Sequence, residues 1–154
     1  AYSAYNFILI SHFTLHKLFY LIEYNSMKKY GFRLTKTYIV RQKDGPYCTD
    51  LHIDKLKKTI PNLKCKWFKN GTFEIYKFNQ NGIYHSLLNE FELKEEYRQL
   101  INEVNNKYGN LSKFNLKQKV YLTKPMREIL KTESIDGVNL YNTPIPIEIV
   151  RPKR

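Results

Sequence analysis

The stretch LKCKWFKNGTFEIYKF, residues 63–78, restricts the fold more than any other part of the chain. Its Asn70-Gly71 pair stands between two runs rich in aromatic residues, and a type I′ turn needs the positive φ that Asn and Gly accept. We therefore expect a β-hairpin with strands over 63–69 and 72–78. A two-residue turn fixes the register, and the predicted pairs are Lys69 with Thr72, Phe68 with Phe73, Trp67 with Glu74, Lys66 with Ile75, Cys65 with Tyr76, and Lys64 with Lys77.

The two faces of this predicted hairpin differ in chemistry, because side chains alternate across a sheet. One face is apolar around Trp67 and suits the core. The other face combines cations with rings and consists of Lys64, Lys66, Phe68, Phe73, Ile75 and Lys77. Rings can stack on bases while lysines neutralise phosphates, so this face is a candidate nucleic-acid platform. The alternatives are a solvated face whose lysine stems cover the rings, a face covered by the N-terminal segment, and a protein interface.

The charge of the chain favours an anionic partner. Of its 154 residues, 26 are Lys or Arg and 14 are Asp or Glu, which gives a net charge of +12. The excess is uneven, since residues 27–85 carry +9 and residues 113–154 carry +5, while residues 86–112 carry −2. Nucleic acid is the commonest partner of such a basic surface. An anionic membrane and an acidic protein are the alternatives.

A second group of cations lies near a predicted short helix over residues 50–60. Its members are Arg41, Lys43, Lys55, Lys57 and Lys58. With Lys64 and Lys66 they make seven basic residues within 26 positions, which suits contact with phosphates. A solvated helix face is the alternative. We therefore predict that nucleic acid, RNA in preference to DNA, is bound by ten residues: Arg41, Lys43, Lys55, Lys57, Lys58, Lys64, Lys66, Phe68, Phe73 and Lys77.

The histidines give little support for catalysis or for a metal. His12 and His16 can share a helix face, but a zinc site needs further ligands, and position 13 is Phe where an HExxH motif has Glu. His52 and His85 would suit a metal-independent ribonuclease as base and acid, although their spacing does not favour it. We expect no catalytic residue, no metal and no cofactor, and hence no enzyme.

Composition divides the chain into three parts. Residues 1–26 are almost uncharged and predict an apolar helical extension, either buried or docked on a partner, with a membrane contact as the alternative. Residues 27–141 form the predicted core domain, and residues 142–154 form an extended, basic, proline-containing tail. A protein partner is expected to dock on one of the two end segments. The lack of signal-peptide features and of a CxxC pair indicates an intracellular, reducing compartment, the cytoplasm or an organelle matrix; a bridge between Cys48 and Cys65 is the alternative.

The predicted core order is strand, helix, strand, strand, helix, strand. Besides the hairpin and the helix over 50–60, the predicted elements are a strand over 33–42, a turn over 43–47, helices over 86–108 and 125–133, and strands over 117–124 and 137–142. This order is that of the split βαβ or ferredoxin-like fold. We therefore predict an α+β protein whose antiparallel sheet carries helices on one face.

Residues 120–140, VYLTKPMREILKTESIDGVNL, are similar to the closing strand, short helix and strand of some bacterial toxin-immunity proteins. The resemblance covers about 20 of the 154 residues, and any strand–helix–strand unit produces it. Immunity proteins that block basic nucleases also tend to be acidic, so we assign no family.

Charge and hairpin together predict a non-catalytic nucleic-acid-binding domain, a structural component of a ribonucleoprotein assembly. The alternative is a protein–protein interaction module, such as an immunity or inhibitor protein or an accessory subunit. A small basic ribonuclease effector is the third hypothesis. A salt titration separates the first two hypotheses, because affinity for nucleic acid falls steeply as the salt concentration rises.

Overall fold

Helices hold most of the residues in the computed structural model, which describes residues 9–59, 64–67, 73–76 and 94–152. In chain order the elements are strand β1 (Leu9–Ser11), helix α1 (His12–Tyr30), strands β2 (Ile39–Gln42) and β3 (Gly45–Cys48), helix α2 (Ile53–Thr59), strands β4 (Lys64–Trp67) and β5 (Phe73–Tyr76), and helices α3 (Glu95–Tyr108), α4 (Lys113–Tyr121) and α5 (Lys124–Asp136), with short 3₁₀ helices at Thr49–Leu51 and Ile147–Ile149.

Helix α1 lies at the centre of the core. The Ser11 side chain caps its N-terminus by accepting a hydrogen bond from Thr14 N at 3.1 Å, and Gly31 ends it with a φ of 81°, a left-handed conformation that favours glycine. The helix packs against β3, α3 and α4. The predicted buried helix is confirmed for residues 12–26, and it continues past the predicted boundary to Tyr30. Its buried apolar side chains are Leu15, Leu18, Tyr20, Leu21, Ile22 and Met27.

The described strands form two small sheets. Strands β2 and β3 make one, and the other is antiparallel with the order β1, β5, β4. The predicted hairpin is present as β4 and β5, but its register differs by one residue, because Lys64 pairs with Tyr76 and Trp67 pairs with Phe73. A shift of one residue exchanges the faces, so position 73 lies on the face of position 67, opposite the face of position 64. The predicted Asn70-Gly71 turn lies outside the described residues.

The predicted strand over 117–124 is wrong, because residues 113–121 form helix α4. Leu116 and Val120, four residues apart, are both fully buried. Val and Tyr favour strands locally, but only a helix brings these two side chains to the same side. With α4 in place of a strand and α1 in the core, the predicted ferredoxin-like α+β fold is wrong, and the protein is mostly helical.

The other predicted elements have mixed outcomes. Strand β2 covers only the end of the predicted strand 33–42, and the predicted turn over 43–47 includes the start of β3. Helix α5 confirms the helix predicted over 125–133. Helix α3 confirms the predicted helix 86–108 from Glu95 onward, and the earlier part lies outside the described residues. Residues 137–142 form turns and irregular chain where a strand was predicted.

The C-terminal segment runs along β2 and into the core. Ile145 N donates to Ile39 O at 2.9 Å, and Arg41 N donates to Thr143 O at 2.8 Å. The side chains of Ile145, Ile147 and Val150 are buried. This part of the predicted tail therefore contributes to the hydrophobic core.

Candidate functional site

Arg41 is the centre of a buried polar network that joins the β2–β3 hairpin to α4 and α5. Its guanidinium donates to the carboxylate of Glu133 through Nε to Oε1 at 3.0 Å and Nη2 to Oε2 at 3.2 Å, and such a bidentate pair is strong and directional. Its Nη1 donates to the Tyr121 hydroxyl at 3.2 Å. The hydrogen bonds from Arg41 hold the pKa of the Glu133 carboxyl below its usual value. The network therefore fixes α4 and α5 relative to the hairpin.

Helix α4 presents apolar side chains to solvent opposite its buried side. Phe114 is 69% exposed and Leu122 is 66% exposed. Both line a shallow groove of about 560 Å³, which we call the α4 groove and which is formed by Phe114, Lys117, Gln118, Tyr121 and Leu122. Single exposed apolar residues are normal in soluble proteins, whereas several that share one groove indicate a contact surface.

The α4 groove is held from beneath and lies in a basic segment of the chain. The Tyr121 hydroxyl donates to Lys43 O at 3.4 Å. Lys117 Nζ donates to Asp44 at 3.1 Å and lies 5.3 Å from the centroid of the Tyr121 ring. Residues 113–127 contain four lysines and one arginine and no acidic residue. An apolar groove in a basic segment suits a protein surface that has an apolar ridge and acidic edges.

Sequence reasoning missed the α4 groove because it treated part of this segment as a strand. Two signals were available. Ser112 can cap a helix, and its Oγ indeed accepts a hydrogen bond from Asn115 N at 3.2 Å. The spacing of Leu116 and Val120 fits a helical core face, and a helix in that phase turns Phe114 outward.

Five of the ten predicted nucleic-acid-binding residues belong to the predicted hairpin. Phe68 and Lys77 lie outside the described residues. Lys64 and Lys66 lie in β4 and Phe73 lies in β5, and the observed register assigns position 73 to the face opposite theirs. The predicted nucleic-acid platform requires these three positions on one face of the sheet. The observed backbone does not place them there.

The other five predicted residues lie in β2, in the turn after it, and in α2. Arg41 is 5% exposed and engaged by Glu133. Lys43 is exposed, Lys55 pairs with Asp50 at 3.2 Å, and Lys58 is exposed on α2. Lys57 also lies on α2. The structure thus distributes the eight described residues over two sheets, one turn and one helix, and the individual residue assignments stay predictions.

His12 and His16 form a hydrogen-bonded pair at the start of α1. Cys48 N donates to His16 Nδ1 at 2.8 Å, so neutral His16 carries its proton on Nε2 and donates it to His12 Nε2, 2.5 Å away. Burial lowers the pKa of His16 to about 2 and that of His12 to about 4. Both rings are therefore neutral at pH 7. Within the described ranges, no group of three or more His, Cys, Asp and Glu is placed to hold a metal ion.

Cys48 is a buried free thiol. Burial raises the pKa of this thiol well above its usual value, which leaves it protonated and unreactive.

The fold and the groove define a small, basic, mostly helical domain with a surface suited to protein contact. Residues 15–125, more than two thirds of the 154-residue chain, match the family described as antitoxin SocA-like, Panacea domain. The chain belongs to this family. The matched residues run from α1 through α4 and include the whole α4 groove. Comparison with curated proteins and comparison with solved structures give no match.

Family membership changes the functional interpretation. It favours the alternative prediction, a protein–protein interaction module, over the main one, and it overturns the description of the chain as an RNA-binding component of a ribonucleoprotein. Docking of a partner on either end segment stays a prediction; of these segments, α1 and residues 145–150 pack largely in the core. Among the helices of the described residues, none is both long enough and apolar enough to cross a membrane.

Proposed function

We propose that this protein is an antitoxin that neutralises a toxin protein by direct binding, and that the α4 groove is the contact surface. The match of residues 15–125 to the SocA-like antitoxin family carries the proposal. The exposure of Phe114 and Leu122 within the matched segment supports the position of the surface.

The α4 groove presents an apolar surface to solvent. Its two most exposed side chains are large and apolar, and covering them removes apolar area from water, which stabilises a complex by roughly 25 cal/mol per Å². Residues at the centre of an interface that are well packed on binding carry most of the affinity. Tyr121, fixed by Arg41 and by Lys43 O, gives the groove a rigid base.

The charge of the chain indicates the chemistry of the partner. The net charge of +12 and the acid-free segment 113–127 favour an acidic partner surface, because a basic protein steers such a surface toward it and speeds association at low salt. We therefore expect a toxin whose contact surface is acidic around an apolar centre.

The experiment uses the full chain as bait in extracts of the source cells, beside the double variant Phe114→Gln, Leu122→Gln. A protein captured by the wild type is then produced in a host, alone and together with each form of the chain. We expect that protein to arrest growth when produced alone, the wild-type chain to restore growth, and the double variant to fail. The matched control is Ile135→Gln, Val138→Gln, which removes two exposed apolar side chains outside the groove.

The outcomes separate the function from the surface. If captured proteins do not arrest growth, or if the wild-type chain does not relieve the arrest, the antitoxin proposal is wrong. If the groove variant restores growth as well as the wild type does, the function stands and the proposed surface is wrong. Equal melting temperatures of the variants and the wild type exclude unfolding as the cause.

A further inference from the structure

A cleft opens between the start of α1, the β2–β3 hairpin and the first residue of α4. It has a volume of about 410 Å³, within the range of small-molecule sites. Phe13 and Lys17 line it from α1, Lys43 and Tyr47 from the hairpin, and Lys113 from α4. The cleft is separate from the α4 groove, with which it shares no lining residue.

Lys17 is an unusual residue for such a cleft, because its side chain is charged and only 4% exposed. Its Nζ donates to Pro46 O at 3.0 Å and lies 4.5 Å from the centroid of the Phe13 ring. An ammonium group has three N–H donors. Among the described residues, no carboxylate lies within 4 Å of it. Burial without a counterion disfavours the charged form and lowers the pKa of Lys17 to about 8.

The nearby acidic residue Asp44 raises the pKa of Lys17 and so offsets part of the effect of burial, but it forms no ion pair with Lys17. Asp44 also lines the cleft, but its carboxylate accepts from Lys117 Nζ at 3.1 Å. Lys43 and Lys113 add two exposed cations to the cleft wall. With three lysines and one aspartate among its lining residues, the cleft carries an excess of positive charge.

The cleft also has apolar walls that are held in place. The ring of Tyr47 stacks on His16 with centroids 4.2 Å apart, and the His16 ring is fixed in turn by its bond from Cys48 N. Phe13, whose ring lies against the Lys17 ammonium, also lines the cleft. Rings beside a buried cation suit a ligand that has a flat apolar body and one anionic end.

We propose that this cleft binds a small organic oxyanion, a carboxylate or a phosphate ester on an apolar body, with its anionic group at Lys17 and its body between Phe13 and Tyr47. This site is independent of the proposed antitoxin surface. A bound oxyanion would bring a negative charge into direct contact with Lys17 and would accept hydrogen bonds from the N–H groups that Pro46 O does not engage.

The test titrates the ¹⁵N-labelled full chain with benzoate, phenyl phosphate and the neutral benzamide at constant ionic strength, and follows backbone amide shifts. We expect at least one anion to bind at least tenfold more tightly than benzamide, with the largest shifts at residues 13–17 and 43–47. Tighter binding of phenyl phosphate identifies a phosphate ester, and tighter binding of benzoate identifies a carboxylate.

Variants test the role of the buried cation. Lys17→Met should lose at least tenfold in affinity for the preferred anion, Lys113→Gln should lose severalfold, and Lys119→Gln, an exposed lysine of α4 outside the cleft, should bind as the wild type does. Equal binding of benzamide and both anions by the wild type overturns the proposal, as does the absence of shifts in the cleft. If Lys17→Met does not fold, the comparison of Lys113→Gln with Lys119→Gln decides, and equal affinities overturn the proposal.

Discussion

The guanidinium of Arg41 and the carboxylate of Glu133 face each other in a two-bond ion pair, although 92 positions separate them in the chain. Both side chains are at most 10% exposed. The pair joins β2 to α5, and through Tyr121 it also supports the α4 groove. Arg41, which the sequence suggested as a phosphate contact, is thus paired with a carboxylate of the protein itself.

Removing one partner of this pair should destabilise the fold strongly. We expect Glu133→Gln or Arg41→Met to lower the free energy of unfolding by about 3–5 kcal/mol, because each leaves a buried charge without its counterion. The double variant Arg41→Met, Glu133→Leu should recover part of that loss. Urea denaturation measures all three, and single variants within 1 kcal/mol of the wild type would contradict a structural role for the pair.

A buried hydroxyl contact joins α1 to the junction of α4 and α5. Tyr20 and Thr123 share a hydrogen bond of 2.6 Å, and Thr123 Oγ1 donates to Val120 O, so the Tyr20 hydroxyl is the donor. We expect Tyr20→Phe to cost about 1–2 kcal/mol, since it leaves a buried acceptor unpaired. Tyr38→Phe, at an exposed position, is the matched control and should leave the melting temperature unchanged.

Gly45 should tolerate no side chain. Its φ is +105°, and a Cβ there would lie 2.8 Å from Cε1 of Tyr121. Gly137 also has a positive φ, +70°, but a Cβ there meets nothing within 4 Å. We expect Gly137→Ala to cost about 1 kcal/mol for the backbone alone and Gly45→Ala to cost clearly more. Equal losses in chemical denaturation would show that the contact with Tyr121 relaxes freely.

Acid should weaken the fold through His12 and His16. Their pKa values in the folded state, about 4 and about 2, lie below the ordinary 6.5, so the unfolded chain binds more protons than the folded one once the pH falls below 6.5. Stability is then fully present above pH 6.5 and decreases with acidification, by about 1.4 kcal/mol per pH unit for the buried His16. His12 adds a decrease of similar slope, which ends near its own folded pKa of about 4.

The measurement is the unfolding free energy between pH 7.5 and 5, above the range of most carboxylates. The charged or titratable groups that face the pair are Lys17 on α1, Tyr47 on β3 and His52 after it. The variant His12→Gln, His16→Gln should flatten the profile, whereas His52→Gln, at an exposed position, should keep it. A wild-type profile that is flat over this range would contradict the neutral histidine pair.

Much of the candidate site was not accessible from local sequence patterns. Asn70-Gly71 correctly indicated a hairpin, but it implied a register that differs by one residue from the observed one. That difference matters because it separates position 73 from positions 64 and 66. Register depends on the neighbouring strand as well as on the turn, and β5 here also pairs with β1.

Local sequence patterns were enough to predict several of the observed elements. The apolar start predicted a buried helix, the periodicity ending at Tyr108 predicted α3, and Pro125 followed by Gly137 bounded α5. Tertiary structure decided whether the segment around Val120 forms a strand or a helix, since Leu116 and Val120 reach the core together only from a helix. It also decided that Arg41 meets Glu133 and that Phe114 stays outside. These outcomes depend on which distant surfaces become neighbours, and pairwise contacts across 92 positions leave no trace in any local window of the chain.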